Sequence, residues 1–286
     1  MTGTRTLPDK KPEGAESRKP EIGVRLVSAL VLAAIAFGAA AASAWTFAFL
    51  VIASSTIVAW EWGRLVRGKS FDAITIIEAI GLAALVILLT LGQPDLALIA
   101  IAATAGAIGF VGLFSGTLGW SIAGLIYAAL PASALVWLRS DEAYGAIALV
   151  YLFAVAWTTD TASYVAGTLV GGPKLAPRIS PRKTWSGFII GTLVPALMGY
   201  AFALVLGGTG PFRLAAVSVV LALACQAGDL FESAVKRRFG AKDMSQLIPG
   251  HGGLLDRIDG LLAAAVLASL IALRDPAAPG RALLIW

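Results

Sequence analysis

The sequence predicts an all-α fold, a polytopic integral membrane bundle of about nine transmembrane helices. Three observations carry that prediction. Of 286 residues, 58% are hydrophobic and only 14% charged, where a soluble domain carries about a quarter. The apolar runs are spread along the whole chain and divided by short polar breaks. Each run also comes close to the roughly 20 residues a helix needs to cross a hydrocarbon core.

Residues 1–23 are polar, with Arg5, Lys10, Lys11, Arg18 and Lys19, three prolines and no apolar centre. They are not a signal peptide and read as a disordered cytoplasmic tail. Candidate spans follow near 25–44, 46–63, 73–91, 95–114, 118–138, 144–169, 186–207, 213–235 and 255–273. The first two are so close that one long kinked element would also fit. The spans divide into N-terminal helices, 24–142, and a C-terminal region, 143–286, that holds most of the unusual polar residues. The single cysteine, Cys225, excludes an intramolecular disulfide and a multi-thiolate metal site. A net charge of +5 spread over short loops gives no basis for a nucleic-acid partner.

Short-loop lysines and arginines orient the spans. With nine spans, the tail, Arg64 to Lys69, Lys174 to Lys183 and Lys236 to Lys242 all fall on the side of the N-terminus. The expected arrangement is a multi-pass inner (plasma) membrane protein with these loops in the cytoplasm.

Carboxylates in a hydrocarbon setting usually face a polar cavity or a partner. Glu61, beside Trp62 and Arg64, reads as a residue snorkelling at a helix end, and Glu78 stays open. Asp160 lies in "WTTDTASY". In "GDLFESAVKRR", Asp229, Glu232, Ser233, Lys236 and Arg237 share one helical face, and Asp256 and Asp259 share a face of the next helix. A connection of about twenty residues makes those helices antiparallel neighbours, so acids and bases converge near one surface. Oxygen donors without thiolates or histidine clusters suit a hard cation such as Mg²⁺, and the lysines and arginines suit phosphate. A structural ion-pair network, Asp256 with Arg257 or Glu232 with Lys236, fits the same residues. Between the helices, "PGHGG" offers glycine backbone to an anion and leads into a helix N-terminus. It carries the only histidine, His251. The loop "GGPKLAPRISPRKTWSG" crowds four cations among three prolines, with Trp185 at an interface.

"SAVKRRFGAKDMSQLIPGHGGLLDRID", Ser233 to Asp259, resembles the signature of the phosphatidate cytidylyltransferase (CDP-diacylglycerol synthase) family. Its fixed positions are met at Ser233, Lys236, Arg237, Lys242, Asp243, His251, Gly252, Gly253, Asp256, Arg257 and Asp259. "GDLFES" and "SPRKTW" resemble two further family motifs, and "DTASY" a looser third. The likeness is sharp over about 157–260. It departs at Ser186, where many members carry Glu.

The resemblance implies a helical bundle, often dimeric, so that a homodimer is an expected assembly. It implies a Mg²⁺-dependent reaction of CTP with phosphatidic acid in the lipid bilayer, giving CDP-diacylglycerol and pyrophosphate. By carry-over, Asp229 and Asp256 hold the metal. Asp229, Asp256, Lys236, Arg237 and His251 form the reacting centre. Ser180, Arg182, Lys183, Thr184, Lys242, Gly252, Gly253, Arg257, Asp160 and Asp259 belong to substrate binding. Both reactants are anions and the lipid phosphate is the nucleophile, so the protein's task is charge neutralisation and in-line alignment. A CTP-dependent polyprenol or lipid kinase is the nearest alternative. A secondary transporter of anions is one of another class, disfavoured because the polar motifs crowd into one half.

Overall fold

A computed structural model of the chain describes residues 18–113, 116–207, 210–248 and 252–286. Helices occupy all nine expected positions: α1 Arg18–Ala42, α2 Ala44–Arg67, α3 Ala73–Thr90, α4 Pro94–Gly112, α5 Leu118–Arg139, α6 Gly145–Leu169, α7 Trp185–Leu206, α8 Pro211–Arg238 and α9 Leu255–Ala272. Seven of them, α2 to α8, are long and apolar enough to cross a membrane. The apolar part of α1 is Leu30–Ala42, and α9 carries Asp256, Arg257 and Asp259 in its first turns. The polar tail expected over 1–23 lies outside the described residues as far as residue 17; α1 begins at Arg18.

Local chemistry sets the boundaries. Ser43 adopts an extended backbone and its side chain accepts from the Thr46 N–H, so α1 and α2 are two helices rather than one kinked element. Gly68 closes α2 in the left-handed region, φ 68°. Asp72 caps α3 through the Thr75 N–H. Pro94 and Pro211 sit in the first turns of α4 and α8, where a missing N–H is harmless. Lys236, Arg237 and Arg238 end α8 on the favourable side of its dipole.

Two elements depart from the expected pattern. The basic loop before α7 is an antiparallel hairpin, β1 Lys174–Ala176 and β2 Ser180–Thr184, pairing Lys174 with Thr184 and Ala176 with Ser180. Gly171 and Gly172, both at positive φ, turn the chain into it. The proline within its second strand, Pro181, lies in a two-stranded sheet, where one edge is always free of ladder bonds. After α9 the chain returns in a short helix, α10 Pro279–Leu284, whose Leu283 and Leu284 are fully buried against α5, α6 and α9.

Helices α2 to α5 pack on one another, and α6 to α9 pack in sequence order. Contacts of α5 with α9 and of α1 with α6 join the two groups. The outer faces of α4 and α7 leave Leu98, Phe110, Leu197 and Val205 exposed, as suits helices facing lipid.

The crossing of α8 and α9 is close. A Cβ at Gly228 would lie 2.7 Å from the Asp259 carbonyl oxygen, and one at Gly260 would lie 3.0 Å from that of Cys225. Two glycines therefore let the two acid-bearing helices touch backbone to backbone. Gly260→Val should force them apart and cost about 1–3 kcal/mol, read as a lowered melting temperature in detergent.

Candidate active site

The site is built where three elements end together: β2, the last turns of α8 and the first turns of α9. Lys183 of β2 pairs with Asp229 of α8, Nζ to Oδ2 at 2.5 Å. Two turns further along α8, Lys236 stands between two carboxylates. Its Nζ lies 2.5 Å from Glu232 Oε2 on its own helix and 2.6 Å from Asp256 Oδ1 on α9. Asp256 Oδ2 accepts the backbone N–H groups of Met244, at 2.9 Å, and Gly253, at 2.8 Å. Ser233 donates to Asp229 Oδ1 at 3.4 Å. The expected convergence of α8 and α9 is thus present. The Glu232–Lys236 pair forms as well, but Asp256 takes Lys236 rather than its neighbour Arg257 as the ion-pair partner.

The other residues assigned from sequence divide by position. Asp160 of α6 lies within electrostatic range of Asp229, Lys183 and Arg257. Asp259 lies within range of Asp229, Asp160 and Lys236. Thr184 is buried, and its hydroxyl accepts from the Gly187 N–H as the N-cap of α7. Ser186 donates to the Gly171 carbonyl and shares a hydrogen bond with Thr184. This hydroxyl therefore holds the turn before the hairpin. Arg237 turns away from the acids, donating to the carbonyls of Ile179, at 3.2 Å, and Ala241, at 3.3 Å. Arg182 and Lys242 are exposed on the same end, with Ser180 beside them in β2. His251 lies outside the described residues.

The glycine segment differs from its expected use. Ile248 and Gly252 exchange two backbone hydrogen bonds, of 2.8 and 3.2 Å, and Gly252 sits at φ 86°, where a side chain would be strained. The described N–H groups that follow do not wait for a substrate phosphate. That of Gly253 goes to Asp256. Those of Leu254 and Leu255, at the amino end of α9, go to Glu61 of α2, at 2.9 and 2.7 Å. Glu61 is wholly buried and also accepts from the Ser245 hydroxyl at 2.6 Å. It is not a snorkelling side chain. Arg64, three residues on in α2, lies over the Trp60 ring, and Glu61 finds its donors in a segment remote in sequence. Glu78 is settled as structural: it lies 3.4 Å from Arg67, which also binds Asp72 and Thr75 and so ties α2 to α3.

The donor set fits a hard divalent cation in kind and charge. Asp160, Asp229, Glu232, Asp256 and Asp259 face Lys183, Lys236 and Arg257, an excess of negative charge. Glu232 is fully buried, and among the described residues its Oε1 has no hydrogen-bond partner, an acceptor that a cation would satisfy. As the side chains stand, no three such groups among the described residues are gathered around one point, because lysines hold Asp229 and Asp256.

A helical membrane bundle with lysines and carboxylates gathered at one end is a membrane protein suited to holding anionic groups. The chain belongs to the cytidylyltransferase family, whose model matches residues 23–273. It is 40% identical to the phosphatidate cytidylyltransferase of Brucella suis biovar 1 (strain 1330) over 246 residues, 86% of this chain and 91% of the relative. To that of Rickettsia typhi (strain ATCC VR-144 / Wilmington) it is 37% identical over 155 residues, 52% of this chain and 68% of the relative. A 110-residue stretch is 47% identical to that of Mycobacterium leprae (strain TN), covering 38% of this chain and 35% of the relative.

The two lysines should respond differently to removal. Lys236→Met strands Glu232 and Asp256 in a buried setting and should cost roughly 3–5 kcal/mol. Lys183→Gln opens a pair whose Asp229 is 36% exposed and should cost under about 1 kcal/mol. Reversible unfolding in mixed micelles separates the two.

Proposed function

We propose that the chain is a phosphatidate cytidylyltransferase, joining CTP and phosphatidic acid to form CDP-diacylglycerol and pyrophosphate. The relatives' names support the reading, and one structural observation carries it. The lysine–carboxylate site adjoins an apolar cavity of about 600 Å³ between α1, α2, α5, α6 and α9. Leu50, Phe47, Leu135 and Phe153 line its depth, while Asp160 and Arg257 line its polar part. A water-soluble anion can reach the charged residues, and a lipid phosphate can reach the same place with its acyl chains in an apolar wall.

In this reading a phosphate oxygen of the lipid attacks the α-phosphorus of CTP in line, and the bond to the β-phosphate breaks, releasing pyrophosphate. The lipid phosphate is already ionised at neutral pH, so no side-chain nucleophile is required. Arg257 lies at the lipid side. Lys183 and Lys236 meet the nucleotide phosphates and stabilise the leaving group. Arg182, Arg237 and Lys242 add positive charge at the mouth. Asp229 and Asp256 would hold Mg²⁺, which would supply further neutralisation of phosphate charge. Lysines already paired to these acids keep the site assembled before either anion arrives.

The site faces the cytoplasm in this proposal. The hairpin and the end of α8 meet through Arg237 and Ile179, and the end of α2 joins them through Glu61 and Ser245. Three basic clusters therefore share one end of the bundle, which supports a cytoplasmic assignment.

Purified protein with radiolabelled CTP and phosphatidic acid should form a labelled liponucleotide and pyrophosphate only with a divalent cation. A phospholipid product with free CDP would instead mark a kinase. In the same assay Asp229→Asn and Asp256→Asn should each lower turnover roughly a hundredfold or more. Wild-type turnover and Mg²⁺ dependence in both would remove the metal assignment. For orientation, Lys183→Cys in a Cys225→Ser background should react with an impermeant thiol reagent in inverted vesicles and not in intact cells.

A further inference from the structure

The motifs that carry the chemistry all lie in the C-terminal half, yet the amino end of α9 is held by a residue of the N-terminal half. Glu61 binds three donors at once: the Ser245 hydroxyl, the Leu254 N–H and the Leu255 N–H. Its surroundings are rigid. The neighbouring Trp62 is buried and donates from its indole to the Trp120 carbonyl of α5 at 2.8 Å. A Cβ at Gly124 of α5 would collide with the Trp62 ring. The approach from the other side is equally close. A Cβ at Gly253 would lie 2.5 Å from Glu61 Oε1, so only glycine lets the loop reach this carboxylate. Ser245 in turn accepts the Leu247 N–H at 3.1 Å. One buried carboxylate therefore pins both ends of the segment that runs from Met244 to Asp256.

We propose that Glu61 is a positioning residue for the reaction, setting the amino end of α9 and with it Asp256, Arg257 and Asp259 against α8. The proposal rests on the cytidylyltransferase reading for its kinetic consequence. Glu61 touches no reacting group. It acts by fixing where α9 begins, and a misplacement of about 1 Å in such a site lowers turnover by up to roughly a hundredfold. A carboxylate is required because all three partners are donors. Glutamine at this position would turn an amide N–H₂ toward at least one of them.

The test combines hydrogen exchange and kinetics on the full chain in detergent, with Glu61→Gln, Ser245→Ala and the double variant. In Glu61→Gln, exchange should rise across residues 252–256 and stay unchanged in the body of α8. Turnover per folded enzyme should fall tenfold or more, with KM for CTP changed much less. Ser245→Ala keeps the carboxylate and removes one donor, so it should fold and show a smaller fall in turnover. The double variant should be no worse than Glu61→Gln alone. Unchanged exchange in 252–256 overturns the proposal whatever the activity. Raised exchange with wild-type turnover also overturns it, since the contact would then serve stability alone. If Glu61→Gln does not fold, Ser245→Ala decides: wild-type exchange and turnover there overturn the proposal. A wild-type chain that forms no liponucleotide with CTP and phosphatidic acid refutes the proposed reaction instead, and the exchange result then decides on the contact by itself.

Discussion

A single ammonium group holds the charged centre together. Lys236 lies between Glu232 of its own helix and Asp256 of the next. The glycine crossing of α8 and α9 brings several carboxylates into a small volume, and like charges at that spacing repel strongly in a medium of low polarity. A cation between them makes the crossing tolerable. The remaining oxygen of Asp256 then captures the Met244 and Gly253 N–H groups, which fixes the loop ahead of α9. Remove the ammonium, and helix contact, loop position and acid geometry all lose their common support. Burying two acids on one lysine is a poor way to gain stability, because desolvation offsets most of the attraction. Its value here is a defined arrangement.

Much of the bundle was legible because membrane helices are written in long apolar runs, and the runs coincide with α1 to α9. The caps Ser43 and Asp72 and the closing Gly68 set helix bounds that apolar runs alone leave open. The acid-bearing faces of α8 and α9 followed from helical spacing. Spacing gives a face but not its partner. Asp256 could as well have paired with Arg257, and only the packing shows that it takes Lys236. Glu61 was misread because its donors lie more than 180 residues away in sequence. The hairpin was obscured by prolines that argue against strands, and α10 by a C-terminal stretch with no apolar run long enough to suggest a helix.

The two halves of the chain differ in what they supply. The C-terminal half carries the charged residues, while α1, α2 and α5 supply apolar walls to the adjoining cavity and the Glu61 anchor. The N-terminal half is thus more than a membrane anchor even though its composition is almost uniformly hydrophobic. Thr184 and Ser186 make a similar point at smaller scale. Hydroxyls within a motif that resembles a substrate loop are occupied with capping α7 and closing the Gly171 turn. That work shapes the strand from which Lys183 projects.

The occupation of the amino end of α9 by Glu61 has an evolutionary consequence. A backbone cradle for phosphate is made of N–H groups that every residue type shares, so point substitutions scarcely alter it. Here the N–H groups of Gly253, Leu254 and Leu255 are committed to the chain's own carboxylates, and in the proposed reading recognition of anions falls to lysine and arginine side chains. Each of these can be exchanged by a single substitution without rebuilding a turn. In the proposed reading, a change of anion preference would have to come from side chains, and at Lys236 such a change would also disturb the helix crossing that it supports.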